Sequence, residues 1–229
     1  MVGSSTRTSN AVREHLLLPQ RLGMYEIEIA NNQECLPIDE DFVRAIVRQT
    51  LQTEQVSSAT ISVAIVDNAQ IHELNRQYLN HDYETDVLSF LLEESSAETS
   101  NEKTVTPRGA GKTIDGEVIV SSEMAIEMAA DYSWDAIDEL TLYIVHGVLH
   151  LCGYDDLTAE ELPIMRAREC HVFEILGRPE PTRDASDRGH VDEGVHVDEG
   201  VHVEDEPPSV KDSVKGEEKA VAVPQGGQS

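Results

Sequence analysis

The stretch HGVLHLCGYDD, residues 146–156, carries the residue types best suited to chemistry in this chain. His146 and His150 stand four positions apart. In a helix that spacing means roughly 40° of rotation and about 6 Å of rise, so both imidazoles point toward one spot. Gly153 is placed to end such a helix in a left-handed turn, which lets the chain swing back with Asp156. Two neutral imidazoles and one carboxylate leave a fourth tetrahedral position, which is the ligand set of a catalytic zinc site. Histidine pairs at this spacing are common on ordinary helices, and it is the glycine and the aspartate that tip the reading to a metal. A zinc peptidase of the H-E-x-x-H kind carries a glutamate base after its first histidine. Here that position is Gly147, so the site must act without that base.

The helix that carries the pair is expected within WDAIDELTLYIVHGVLHLC (134–152). Ile137, Leu140, Ile144, Val148 and Leu151 recur at spacings of three and four, a stripe that would bury one side. His146 and His150 lie off that stripe, where they can line a cleft. Glu139 sits two turns before His146, about 10 Å along the axis, too far to share a ligand set. Cys152 is roughly 200° round from His150 and reads as a packed thiol.

The remaining elements alternate. MYEIEIAN (24–31), ATISVAIVD (59–67), DVLSFLL (86–92) and GEVIVSS (116–122) read as strands. PIDEDFVRAIVRQTLQTE (37–54), AQIHELNRQYL (69–79), SEMAIEMAADY (122–132) and TAEELPIMRARECHVFEILG (158–177) read as helices. Strands mixed with helices, with helices gathering at the end, predict a small α+β or α/β domain around a mixed sheet.

Two stretches fall outside that pattern. Residues 93–113 are polar and read as an insertion between two strands. Their end, GAGKT (109–113), resembles a phosphate loop, but the glycine required five positions before Gly111 is Thr106, and a strand follows where a helix should. From Gly177 on, the chain runs into an acidic six-residue repeat, GHVDEGVHVDEGVHVEDE (189–206), which lacks the bulky apolar groups needed to fold. His190, His196 and His202 there read as solvated tail residues. Residues 1–22 read as a further disordered extension, leaving 23–176 as the domain.

The chain has 229 residues, enough for one domain, with 17 basic and 44 acidic side chains and a formal charge of -27. Such a surface repels nucleic acid at long range, so an RNA substrate would need a basic patch or a bound cation. Six basic and thirteen acidic residues lie from Gly177 on, which leaves -20 of that charge on residues 1–176. Three scattered cysteines, Cys35, Cys152 and Cys170, do not form a disulfide framework and point to a reducing, cytoplasmic setting. No apolar run approaches the roughly 18 residues of a membrane span, so no membrane partner is expected.

HGVLHLCGYDD resembles the H-G-x-L-H-L-x-G-Y-D-H signature of the YbeY family, zinc-dependent, single-strand-specific endoribonucleases that mature ribosomal RNA. LNRQYLNHDYETDVLSF (74–90) resembles that family's second signature, L-N-x-x-Y-R-x-x-D-x-P-T-D-V-L-S-F. The similarity extends over residues 24–92 and 114–176. It implies an α+β fold with a mixed four-stranded sheet flanked by about five helices. It also implies one zinc ion on His146, His150 and Asp156, and a substrate side that includes Thr85, Asp86 and Ser89. The implied partners are a single-stranded rRNA precursor, a small-subunit ribosomal protein and an assembly GTPase. Three positions depart from the signatures. The family's third histidine is Asp156 here, a competent zinc ligand, while Asp155 falls in register with the family's own aspartate. The arginine expected to face substrate is Leu79, and Arg76, one helical turn earlier, is the candidate to replace it as the catalytic cation; as a plain surface arginine it would do nothing. The family's proline is Glu84.

The resemblance offers an answer to the missing base. A metal can ionise water near neutral pH unaided, and RNA carries its own nucleophile, the 2′-hydroxyl. Peptide hydrolysis lacks that internal nucleophile, so Gly147 weighs against a peptidase of the H-x-x-x-H-x-x-G-x-x-D type. A ribosome-assembly factor with a structural zinc is the other alternative, and it too fits an acidic surface.

Overall fold

The structure, a computed structural model, describes residues 24–96 and 107–181. The N-terminal extension, the middle of the polar insertion and the repeat with its three histidines lie outside the described residues. Four strands and five helices follow one another as β1 (Met24–Asn31), α1 (Glu40–Thr53), β2 (Ser58–Val66), α2 (Asn68–Leu79), β3 (Val87–Ser96), β4 (Lys112–Ser121), α3 (Ser122–Tyr132), α4 (Ala136–Leu151) and α5 (Leu162–Leu176). The sheet order is β1-β2-β4-β3. β1, β2 and β4 are parallel, and β3 closes the edge antiparallel to β4. The expected mixed four-stranded α+β arrangement is the one observed.

Alternation along the strands sorts the residues between two faces. Ile61, Val63, Ile65, Val118, Val120 and Val87 point into the main core with α1, α3, α4 and α5. Leu88 and Ile119 point the other way, into a small cluster with Val66 and Ile71 under α2. Side-chain caps set the helix starts. Asp39 accepts from the Asp41 amide at 2.9 Å, so α1 begins at Glu40, after Pro37 and Ile38. Asp135 accepts from the Ile137 amide at 2.8 Å and starts α4. Each such cap satisfies amides that have no partner within the helix.

Two expectations need correction. The polar insertion is shorter than 93–113, because Glu93–Ser96 extend β3 and pair with Lys112–Asp115 beyond a register shift between Leu91 and Glu93. Glu93, Glu94 and Ser95 are polar and exposed, with no apolar alternation to reveal the strand to a pattern search. The GAGKT segment, as expected, leads into a strand: it enters β4, where Lys112 donates to Glu94 at 3.0 Å and to the Cys152 carbonyl at 3.1 Å. α4, finally, is not buried on one side only. Leu140, Leu142, Tyr143, Ile144, Val145, Gly147, Val148, Leu149 and Leu151 are all buried, which covers the whole circumference. A helix apolar all round is a core helix, and the two histidines are among its few partly exposed positions.

Candidate metal centre

α4 delivers His146 and His150 from its last two turns. Its C-terminus is reshaped by Gly153, whose φ of 98° lies in the region open to glycine. The Gly153 amide donates to the His150 carbonyl at 2.8 Å and the Tyr154 amide to the Leu149 carbonyl at 3.1 Å. The chain thereby reverses, and Asp156 returns to the histidines. Asp155 does not compete for the site. Its carboxylate accepts from the amides of Asp156 at 2.8 Å and Leu157 at 3.1 Å, so it stiffens the turn.

The three side chains meet. The Nε2 atoms of His146 and His150 are 2.8 Å apart, one ring donating to the other, with the rings at 81°. Asp156 Oδ2 lies 3.8 Å from His146 Nε2, and Oδ1 lies 3.8 Å from His150 Nε2. One ligand atom from each residue falls within 4.8 Å of the others. A tetrahedral zinc with bonds of about 2.1 Å would want ligand atoms roughly 3.4 Å apart, so the imidazoles would part by roughly 0.6 Å and the Asp156 carboxylate would draw in toward them. Asp156 Oδ1 is buried and has no hydrogen-bond partner, a costly state for a carboxylate oxygen unless a cation completes it. The donor set, two imidazoles and a carboxylate, fits zinc.

Both histidines are also oriented from behind. His146 Nδ1 donates to Glu169 Oε1 at 2.7 Å, and His150 Nδ1 donates to the Tyr154 carbonyl at 3.0 Å. Held so, both imidazoles can turn Nε2 to an ion in place of their mutual hydrogen bond, which is how a ligating imidazole is normally held. Glu169 was not among the residues singled out from sequence. The signal was present: on α5 it shares a face with the buried Met165, Val172 and Phe173, and a glutamate on an apolar stripe calls for a partner.

The local field is negative. Burial would lower the His146 pKa, but the Glu169 hydrogen bond and charge, with Asp156 and Asp86, push it up to about 9. Burial raises the Asp156 pKa, with His146 pulling it back and Glu169 and Asp155 adding to the rise. Around a bare imidazole pair this field holds a proton, and around a divalent cation it holds the ion.

Gly147 faces the sheet. A Cβ there would lie 2.6 Å from Val118 Cγ1, 2.9 Å from Ser89 Oγ and 3.1 Å from Val87 Cγ2. The position that holds the glutamate base in H-E-x-x-H enzymes is filled here by the β3–β4 surface, so no side chain can occupy it.

The other expected residues are placed as follows. Arg76 is exposed on α2 and ion-pairs with Glu73 of the same helix. Leu79 packs against the small cluster under α2. Thr85 is buried, Asp86 accepts from the Val87 amide at 2.9 Å, and Ser89 Oγ is buried against Gly147. Cys152 is fully buried as expected, and burial raises its pKa far above the ordinary thiol value.

A family model described as Endoribonuclease YbeY matches residues 28–177. The chain belongs to the YbeY family. Curated YbeY endoribonucleases similar to it include that of Carboxydothermus hydrogenoformans, 36% identical over 152 residues, which span 66% of this chain and 96% of the relative. That of Pelotomaculum thermopropionicum is 36% identical over 159 residues, 68% of this chain and 97% of the relative. That of Roseiflexus castenholzii is 38% identical over 145 residues, 61% of this chain and 85% of the relative. The YbeY match takes in α1 through α5 and every residue of the His–His–Asp group. No helix among the described residues is long and apolar enough to cross a membrane.

Proposed function

We propose that this protein is a cytoplasmic, zinc-dependent, single-strand-specific endoribonuclease that matures small-subunit ribosomal RNA. The observation that carries the reading is the convergence of His146, His150 and Asp156, with both Nδ1 atoms already engaged and both Nε2 atoms turned to one point. Membership of the YbeY family supplies the substrate class.

Zinc, when bound, would supply Lewis acidity and positive charge beside a phosphodiester. The chain's own residues set the conditions for that chemistry. Glu169 and the Tyr154 carbonyl hold the imidazoles in the tautomer that exposes Nε2, and Asp156 offsets one unit of the ion's charge. Because Gly147 bars a side-chain base, the reaction draws on a nucleophile that the substrate already carries, the RNA 2′-hydroxyl. Arg76 is the proposed cation on the substrate side, once it exchanges Glu73 for a phosphate. Asp86, just before β3, adds its charge to the field at His146, and with Thr85 and Ser89 it forms the proposed substrate side. The -20 formal charge on residues 1–176 disfavours free RNA and favours basic partners, in keeping with a small-subunit ribosomal protein and an assembly GTPase that present the RNA.

The test is an incubation of purified protein with single-stranded RNA, duplex RNA and a denatured protein, each with and without chelator. Cleavage confined to single-stranded RNA, abolished by chelator and by His150→Ala, is expected. Proteolysis, or RNA cleavage that survives both treatments, would refute the assignment.

A further inference from the structure

Beside the metal centre lies a buried polar cluster built on Glu54. Glu54 caps the C-terminal end of α1 and is fully buried. Its Oε1 accepts two hydrogen bonds from one guanidinium, Arg168 Nε at 2.9 Å and Nη2 at 2.6 Å. Its Oε2 accepts from the Tyr154 hydroxyl at 2.8 Å. A carboxylate taken out of water in this way persists only when its oxygens are satisfied by charged and polar donors, and here both are.

One partner of Glu54 holds a ligand histidine directly, and the other adjoins in sequence the residue that holds the second. Tyr154 presents its carbonyl to His150 Nδ1 at 3.0 Å. Arg168 precedes Glu169 on α5, and Glu169 accepts from His146 Nδ1 at 2.7 Å. One carboxylate, from a helix that contributes no ligand, is thus bonded to the residue that orients His150 and to the chain neighbour of the residue that orients His146. The turn is gripped from its outer side as well. Arg108 lies 4.8 Å over the Tyr154 ring, and its amide donates to the Tyr154 hydroxyl at 3.2 Å. Its guanidinium donates to the Gly153 carbonyl at 3.2 Å and pairs with Glu161 at 2.7 Å. Burial, and then the Glu54 charge, raises the Tyr154 pKa, which keeps the phenol a hydrogen-bond donor.

We propose that Glu54 is a positioning residue of the metal centre, setting through Tyr154 and Arg168 the orientation of both ligand histidines. The inference rests on the reading of His146, His150 and Asp156 as a metal site. It touches neither substrate nor ion, and its effect is on geometry. Outer partners of ligating histidines commonly control metal affinity by 10–100-fold. Glu54 acts one bond further out, so about tenfold is expected.

Tyr154→Phe removes the hydroxyl and keeps the carbonyl. Glu54→Gln keeps the shape and removes the charge that holds Arg168. Ile61→Val, a core change on β2 away from the cluster, serves as a control for lost stability. Zinc affinity by chelator competition and the visible absorption of the cobalt-substituted full-length proteins are the two readouts. Both cluster variants should bind zinc about tenfold more weakly and show altered cobalt bands. Ile61→Val should keep wild-type affinity and spectrum even where its melting temperature falls as far. Wild-type affinity and spectrum in folded Tyr154→Phe and Glu54→Gln would overturn the inference and leave the metal reading standing. A wild-type protein that takes up neither zinc nor cobalt would overturn both. If Glu54→Gln fails to fold, Tyr154→Phe decides alone, since loss of one hydroxyl leaves the Arg168 pair intact.

Discussion

Replacing Gly147 by alanine adds a single carbon where α4 lies against β3 and β4. That carbon would sit 2.6 Å from Val118 Cγ1, against an ordinary carbon–carbon contact of about 3.5–4.0 Å. Relief therefore needs roughly 1 Å of movement between the helix and the sheet. Val118 is fully buried in mid-strand, and Val87 closes the other side at 3.1 Å, so no flexible side-chain tip can give way. Overpacking of this kind costs about 1–3 kcal/mol. Alanine recovers up to about 1 kcal/mol through its better helix propensity. The net expectation is a loss of about 1–2 kcal/mol, or roughly 2–8 °C in melting temperature for a chain of this size. The same displacement moves His146, so zinc affinity should fall with stability. Circular-dichroism melts and chelator competition on Gly147→Ala measure the two. A variant more stable than wild type, with zinc affinity unchanged, would show that the helix does not approach the sheet as described. Gly147→Glu, the change that would recreate the peptidase motif, should fail to fold.

Three further outcomes follow from the site. Asp156→Ala should weaken zinc binding, Asp156→His should retain it, and Asp155→Ala should cost mainly stability of the turn; zinc content of the three side by side reveals an error of register if Asp155→Ala alone loses the metal. Glu169→Gln should bring the metal-free His146 pKa down from about 9, read by NMR titration, and weaken zinc about 10–100-fold; in that metal-free state the raised pKa stabilises the fold fully below about pH 6.5, and the contribution fades as pH climbs through about 9. Because zinc must displace the His146 proton, apparent zinc affinity should rise about tenfold per pH unit through neutrality and level off above about pH 9, whereas a flat profile would mean His146 is not a ligand.

The site's inner ring was legible because it is local. Two histidines one helical turn apart, a glycine and an aspartate obey rules that need no knowledge of the rest of the chain. Glu169 and Glu54 were not, since their roles exist only once α5 and α1 dock beside the turn. Gly147 shows the same limit. Its lack of a side chain was plain, but the physical reason for it is Val118, Ser89 and Val87, supplied by two strands far away in sequence. The strands and helices followed from periodicity, with errors where polarity and pairing part company. Glu93–Ser96 pair with β4 while showing no apolar alternation. α4 has a readable stripe but is buried all round, because the residues between the stripe positions are apolar too.

The bond from Glu169 to His146 has a consequence in time. The two residues are 23 apart in the chain, and Glu54 is 114 residues from Arg168. A nascent polypeptide grows at about 5–20 residues per second. For roughly 1–5 s after His146 has been made, therefore, the pair of imidazoles exists without the acceptor that aims it. The centre matures only when the last helix of the domain arrives and docks. A metal ion that binds the docked state alone then shifts the equilibrium toward the completed domain by mass action. A chain stopped before α5 would thus carry both imidazoles and Asp156 but lack the bond that orients His146.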